Sequence, residues 1–151
     1  MTNNIESLTS IIILNYNAGN LLLNCIESIY KTQTHKFEVI VVDNISTDNS
    51  HKKCKEKFPQ LRLIENKENL GYCEGNNVGI RNAKGEFIVI LNPDTKVEPN
   101  WLEELFNTYE KFGDGLYQPK IMAFENNLFE SGGNMLQVFG FGYSKGRGIL
   151  D

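Results

Sequence analysis

The chain has 151 residues, 40% of them apolar, with 19 acidic and 15 basic side chains for a net charge of −4, a composition that suits one soluble domain with a real core. No apolar run approaches the roughly 20 residues that span a bilayer, and residues 1–10 lack the basic start and apolar stretch of a signal peptide, so the expected location is the cytoplasm. The acidic balance offers no global positive field to nucleic acid, and Cys25, Cys54 and Cys73, without a Cys-x-x-Cys pair, indicate neither a disulfide framework nor a zinc site.

Ser10 to Leu14 is a continuous β-branched and apolar run, the pattern of a strand covered on both faces. After the turn-rich stretch Asn15-Tyr16-Asn17-Ala18-Gly19-Asn20, Leu22, Cys25, Ile26 and Ile29 recur at helical spacing. Val39 to Val42 predicts a second strand, which ends in Asp43-Asn44-Ile45-Ser46-Thr47-Asp48-Asn49-Ser50. Ser46, Thr47 or Asp48 can cap the polar helix that follows, whose inner face is Cys54 and Phe58 and which stops at Pro59. His51, in that lysine-rich helix, and His35, in a loop, read as solvated side chains.

Leu61 to Ile64 predicts a short third strand, and Cys73 to Ala83 a helix closed by Lys84-Gly85. Gly71, Gly75 and Gly79 recur every four residues, which gathers them on one face, either for close packing on the sheet or for approach to a ligand. Phe87 to Leu91 predicts a buried fourth strand that ends abruptly in Asn92-Pro93-Asp94-Thr95. Pro99, Glu103 and Glu104 mark a helix start, and Leu102, Leu105, Phe106, Tyr109 and Phe112 form its apolar stripe, with Trp101 as a packing residue. Leu116 to Phe124 and Leu128 to Ser131 read as further strands. From Gly132 the chain is rich in glycine and aromatic residues without a period and reads as loop; it then stops with no element to seal that edge, the pattern expected of a domain cut short.

Regular alternation of strand and helix predicts right-handed crossovers and a parallel sheet, with ligands at the carboxyl ends of its strands. Three such ends carry amides and carboxylates: Asn15-Tyr16-Asn17, Asp43-Asn44 and Asn92-Pro93-Asp94. Taken alone, Asp43 either caps the following loop with Ser46 and Asp48 or meets a ligand, and Asn92-Pro93-Asp94 has the residue types of a plain turn.

Together, Ile13-Leu14-Asn15-Tyr16-Asn17, Val41-Val42-Asp43-Asn44 with Ser46, Asp48 and Ser50, Asn69-Leu70-Gly71-Tyr72 through Asn76-Asn77-Val78-Gly79, and Leu91-Asn92-Pro93-Asp94-Thr95 resemble the family 2 glycosyltransferases. The resemblance covers nearly the whole chain. It implies a GT-A fold, a three-layer α/β/α sandwich on a mostly parallel sheet, here truncated at its C-terminal side, with residues 1–151 as a single nucleotide-sugar-binding domain of a longer enzyme. It implies inverting transfer of a sugar from a nucleotide diphosphate to a saccharide or lipid-linked saccharide acceptor, and no nucleic-acid partner.

By the same resemblance, Asp43 accepts a hydrogen bond from the pyrimidine imide of the donor, while Asn15, Tyr16 and Asn17, with Asn44, line the base and ribose pocket. Gly71, in the opening turn of its segment, and Asn76 or Asn77 approach the diphosphate sugar. Asn92, where the family commonly has aspartate, bonds a ribose hydroxyl, and Asp94 binds a divalent cation, Mg²⁺ or Mn²⁺, that bridges the diphosphate. Glu130 and Ser131 fall where the acceptor approaches. The Leu-Asn-Pro-Asp variant resembles rhamnosyltransferases, so a dTDP- or UDP-sugar donor is expected, in bacterial polysaccharide synthesis at the inner membrane face. No catalytic base is assigned, because the family carries it downstream of the matched motifs. Two rivals remain at this stage, a nucleotidyltransferase, which would place a basic glycine-rich loop after the first strand, and a noncatalytic nucleotide-binding module.

Overall fold

The computed structural model of the protein describes residues 7–32, 35–123, 128–131, 134–136 and 142–144. They form β1 (Thr9–Asn15), α1 (Asn20–Ile29), β2 (Phe37–Asp43), α2 (Ser50–Lys57), β3 (Arg62–Glu65), α3 (Gly71–Asn82), β4 (Phe87–Leu91), α4 (Trp101–Phe112) and four short strands, β5 (Ile121–Met122), β6 (Phe129–Ser131), β7 (Asn134–Leu136) and β8 (Gly142–Ser144). Two compact units divide the chain, residues 1–104 and 105–151.

In the first unit, β1 to β4 make one parallel sheet in the order β3-β2-β1-β4. The registers Asn15↔Asp43 and Asp43↔Glu65 bring the ends of β1, β2 and β3 level, and Ile13↔Leu91 ends β4 two residues short of them. From β1 the chain steps to β2 and β3 in one direction and then jumps back across the sheet to β4. Right-handed crossovers therefore set α1 and α2 on one face and α3 on the other, and the order reverses between β1 and β4. Ile11, Ile12, Ile13 and Val39 to Val42, at most 1% exposed, form the centre of the core, as the continuous apolar runs predict.

Leu22, Cys25, Ile26 and Ile29 are the buried stripe of α1, as expected from their spacing. Helix α3 lies tightly on the sheet. A Cβ at Gly75 would sit 2.4 Å from Leu14 Cδ1, and one at Gly79 2.4 Å from Ile12 Cγ2, so these two glycines serve packing. Gly71, at φ +71°, instead opens the helix in the left-handed region, two residues earlier than the sequence predicts. Trp101 has the expected structural role, its indole Nε1 donating to Thr32 Oγ1 at 2.9 Å.

Three expectations are corrected. β4 is not buried on both faces: it pairs with β1 alone among the described residues, and Ile88 and Ile90 are 41% and 47% exposed. A continuous apolar run shows that both faces can be covered, and an edge position leaves one open. His51 is not solvated but 3% exposed, on the inner face of α2 with Ser50 and Cys54. Phe58, read as part of that inner face, instead follows the helix and stacks on Tyr30 with ring centroids 4.9 Å apart.

In the second unit, β5 pairs with β6 and β7 with β8, both antiparallel. Of the strand expected over 116–124, only Ile121–Met122 forms, and Leu116 is fully exposed; Phe124 lies outside the described residues. The stretch from Gly132, expected as loop, contains β7 and β8. Three residues of Asn-Met-Leu or Gly-Tyr-Ser are too few to display a period of two.

Candidate functional site

Beyond the ends of β1, β2 and β4, where the strand order reverses, opens a pocket of about 470 Å³. Its polar lining comes from Tyr16, Asn44, Asn69, Tyr72, Asn92 and Asp94, with Gly71 and Pro93 supplying close backbone and Leu14 and Leu21 apolar wall. Of the residues singled out from the sequence, Tyr16, Asn44, Gly71, Asn92 and Asp94 thus share one cavity.

Asn15 and Asp43, 0% and 2% exposed, do not line it and sit in the sheet as neighbours in register. Asn15 Nδ2 donates to Asp43 Oδ1 at 2.7 Å and to Ser46 Oγ and Ser50 Oγ at 3.0 Å. Asp43 Oδ2 accepts the Ser46 backbone N–H at 2.8 Å, and His51 Nδ1 lies 3.2 Å from Oδ1. The carboxylate therefore does cap the loop after β2. That loop needs holding, because Ile45, a β-branched residue, sits in the left-handed region at φ +55°, a conformation worth about 1–3 kcal/mol of strain. Asn17 belongs to the same clasp: its Oδ1 accepts the Thr47 N–H at 2.8 Å. Asp48 completes it by accepting from Gly19 N at 2.8 Å and Ser50 N at 2.9 Å. Burial pushes the Asp48 carboxyl up, but these bonds and the nearby His51 outweigh it and hold the group below its ordinary value.

Asn44 is fixed on three sides, its Nδ2 donating to Asn69 Oδ1 and Gly71 O, both at 3.1 Å, and its Oδ1 accepting from Asn66 Nδ2 at 2.7 Å. Asn77 stands on the exposed surface of α3, bonded to Glu74, and contributes nothing to the pocket wall. Asn92 is exposed, and its Oδ1 accepts the Tyr72 hydroxyl at 3.2 Å. The Thr95 N–H returns to Asn92 O at 3.2 Å, so Asn92-Pro93-Asp94 is also a turn that aims Asp94 outward. Asp94 is the one carboxylate in the described pocket wall, exposed and without a hydrogen bond or ion pair to the described residues. Behind the turn, burial first and the Asp94 charge second push the Cys25 thiol up to about 12, so Cys25 stays protonated and inert.

Leu21 and His51 were not picked out by sequence reasoning, and Asn69 and Tyr72 entered it only within a motif, without a role of their own. Asn69 had a signal, since Asn-x-Gly is a turn pattern and its Oδ1 accepts the Gly71 N–H at 2.9 Å.

No group of three or more His, Cys, Asp or Glu gathers among the described residues, so these offer no closed metal cage. A lone exposed carboxylate in an open pocket is a hard oxygen donor, and the chemistry of Asp94 fits a hard divalent cation.

A parallel sheet in this order, helices on both faces and a pocket at the switch point define the GT-A architecture. It is shared with S. aureus TarS 1–349 in complex with UDP-GlcNAc, at a TM-score of 0.63 and 22% identity over 78% of this chain and 41% of that one. It is shared too with the mannosyltransferase PcManGT from Pyrobaculum calidifontis in complex with GDP-Man and Mn²⁺, at a TM-score of 0.61 and 28% identity over 67% of this chain and 32% of that one. Glycosyl transferase family 2 matches residues 10–148, and the chain belongs to that family. Among relatives, the glycosyltransferase GlyG of Streptococcus pneumoniae serotype 4 is 34% identical over 109 residues, 70% of this chain and 36% of GlyG. The chain thus spans about a third of the length of that relative.

Proposed function

We propose that the chain is the donor-binding part of a glycosyltransferase that moves a sugar, with inversion, from a nucleoside diphosphate to an acceptor hydroxyl in bacterial polysaccharide synthesis. The observation that carries this reading is Asp94: a bare, exposed carboxylate in a pocket otherwise lined by amides, tyrosines and apolar groups. A diphosphate would be repelled by that carboxylate, so a divalent cation held between them makes the pocket and ligand compatible. When bound, the cation supplies Lewis-acid stabilisation of the departing diphosphate.

With its Oδ1 taken by Tyr72, Asn92 presents Nδ2 to a ligand oxygen such as a ribose hydroxyl. The rings of Tyr16 and Tyr72, 56% and 60% exposed on the pocket wall, offer faces for a base or sugar. Asp43 reads the imide of uracil or thymine from below. A carboxylate has about four acceptor positions; Asn15 bonds Oδ1, where the His51 ring also crowds in, and Ser46 N takes one position on Oδ2, which leaves one on Oδ2. A dTDP- or UDP-sugar is therefore the donor, with rhamnose the sugar suggested by the Asn92-Pro93-Asp94 variant. Asn15 and Asn17 hold the base loop, Asn44 and Gly71 border the ligand, and Asn77 is left to the sugar end. The acceptor is a saccharide, free or lipid-linked, met in the cytoplasm or at the inner membrane face; no helix among the described residues is long and apolar enough to cross a membrane.

Calorimetric titration with UDP tests this. Binding is expected with Mn²⁺ present, to fall at least about tenfold on chelation and to lose its metal dependence in Asp94→Ala. Equal Mn²⁺-dependent binding by Asp94→Ala removes the cation assignment, and preference for UTP over UDP moves the reading toward nucleotidyl transfer.

A further inference from the structure

Beneath the pocket, Asp43 is a carboxylate 2% exposed with no Lys or Arg within ion-pair reach among the described residues; its one basic neighbour is His51, itself 3% exposed. The imidazole is wedged between two acids. Nδ1 lies 3.2 Å from Asp43 Oδ1, and Nε2 lies 3.4 Å from Oε1 of Glu65, the last residue of β3. The Nδ1 contact is one of proximity rather than an aligned hydrogen bond, so it acts on the carboxylate as a charge or N–H dipole pressed against Oδ1. Glu65 is 56% exposed and holds the ring from the solvent side.

Asn15 on Oδ1 and Ser46 N on Oδ2 set the plane of the carboxylate by one bond each. The His51 ring pressed against Oδ1 adds a third, buried contact that stiffens that plane and therefore the direction of the remaining Oδ2 lone pair. We propose that His51, braced by Glu65, is a positioning residue that aims Asp43 at the imide N–H of a uracil or thymine base and so sets discrimination against cytosine. This rests on the reading of the pocket as a pyrimidine nucleotide-sugar site. Cytosine carries a bare acceptor nitrogen where uracil carries N–H, and a fixed carboxylate lone pair repels it; a less firmly held carboxylate discriminates less.

The test is the ratio of UDP to CDP affinity in the presence of Mn²⁺. The native chain is expected to prefer UDP. His51→Leu, which removes the Nδ1 contact, is expected to lower that preference about tenfold while the Mn²⁺ dependence through Asp94 persists. His51→Asn, whose Nδ2 falls where Nδ1 was, is expected to restore it to within about threefold of native. A purely structural role would weaken both nucleotides alike and leave the ratio unchanged, and that result overturns the proposal. Should His51→Leu fail to fold, Glu65→Ala, at an exposed position, carries the same test: a fall of about threefold supports the proposal and an unchanged ratio overturns it. A native chain that binds UDP and CDP equally would overturn the reading of Asp43 as the imide acceptor, and this proposal with it, whereas a native preference kept by every variant removes His51 alone.

Discussion

Three helix and loop glycines face different obstacles, and the difference fixes what a single methyl group would do at each. A Cβ at Gly75 would meet Leu14 Cδ1 at 2.4 Å, the far end of a side chain that can rotate, and one at Gly79 would meet the Ile12 γ-methyl of a fully buried strand residue at the same distance. At Gly85 the neighbours are backbone, Ser10 N at 2.5 Å and Leu8 O at 2.6 Å. Backbone in a central strand cannot yield without parting the sheet. Gly85→Ala is therefore expected to cost the most, about 3 kcal/mol or more, against about 1–3 for Gly79→Ala and less for Gly75→Ala; urea unfolding of the three variants checks the order, and a Gly75 variant less stable than the Gly85 one would refute it. Legibility at this scale was uneven. Asp94 could be read because a Pro-Asp pair ends a strand-like run, and its exposure fits that position. His51 was missed because Lys52, Lys53, Lys55 and Lys57 dominate the segment, although Ser50, His51 and Cys54 already stand at spacings that share a helix face.

The amino ends of the strands are tied by a different network from the one at the pocket. Glu38, on β2, accepts Ser10 Oγ at 2.7 Å, the Lys84 N–H at 2.7 Å and Arg62 Nη1 at 3.2 Å, so one side chain joins β1, β2, β3 and the turn before β4. Burial pushes the Glu38 carboxyl up, but the hydrogen bonds and the arginine outweigh it and its value falls below the ordinary 4.5. A carboxylate lowered in the folded state stabilises fully above its unfolded value, and that contribution disappears as pH falls through the folded one. Glu38→Gln is thus expected to unfold at lower urea than the native chain at pH 7, with the gap closing below about pH 4.5. A gap of constant size from pH 7 to pH 3 would assign the loss to packing instead. At this scale the elements of the first unit were readable because long apolar runs and helical stripes exceed the minimum length for a period to show. β4 as an exposed edge was not, since pairing order depends on the whole topology; neither were β7 and β8, each three residues long.

For the whole molecule, the reversal of strand order between β1 and β4 follows from the order of βα units and from handedness, which is why the position of the pocket could be expected before its walls could. The walls depend on loops, and there the reading was partial: Asn15 and Asp43 proved to be the floor that holds the loop, while Asn69 and Tyr72 stand in the wall. The same inventory bears on turnover. Inverting transfer needs a base to take the acceptor proton, and Asp94 is the one carboxylate in the described pocket wall. A carboxylate that holds a cation, as proposed for Asp94, is a poor proton acceptor, because the metal charge stabilises its ionised form. Asp43 cannot substitute, since it is bonded to Asn15 and Ser46 beneath the pocket and its remaining lone pair is, in the proposed reading, turned to the base and not to the acceptor. The 151-residue chain is accordingly expected to bind UDP with Mn²⁺ yet to release it from a UDP-sugar far more slowly than the roughly 10 s⁻¹ of a typical enzyme, with simple saccharides as acceptors. Release within tenfold of that rate would mean that a second base reaches the pocket. Asp94→Asn would then separate the roles: if only the cation is lost, added base such as imidazole leaves the rate low, whereas rescue by imidazole would identify Asp94 itself as the proton acceptor.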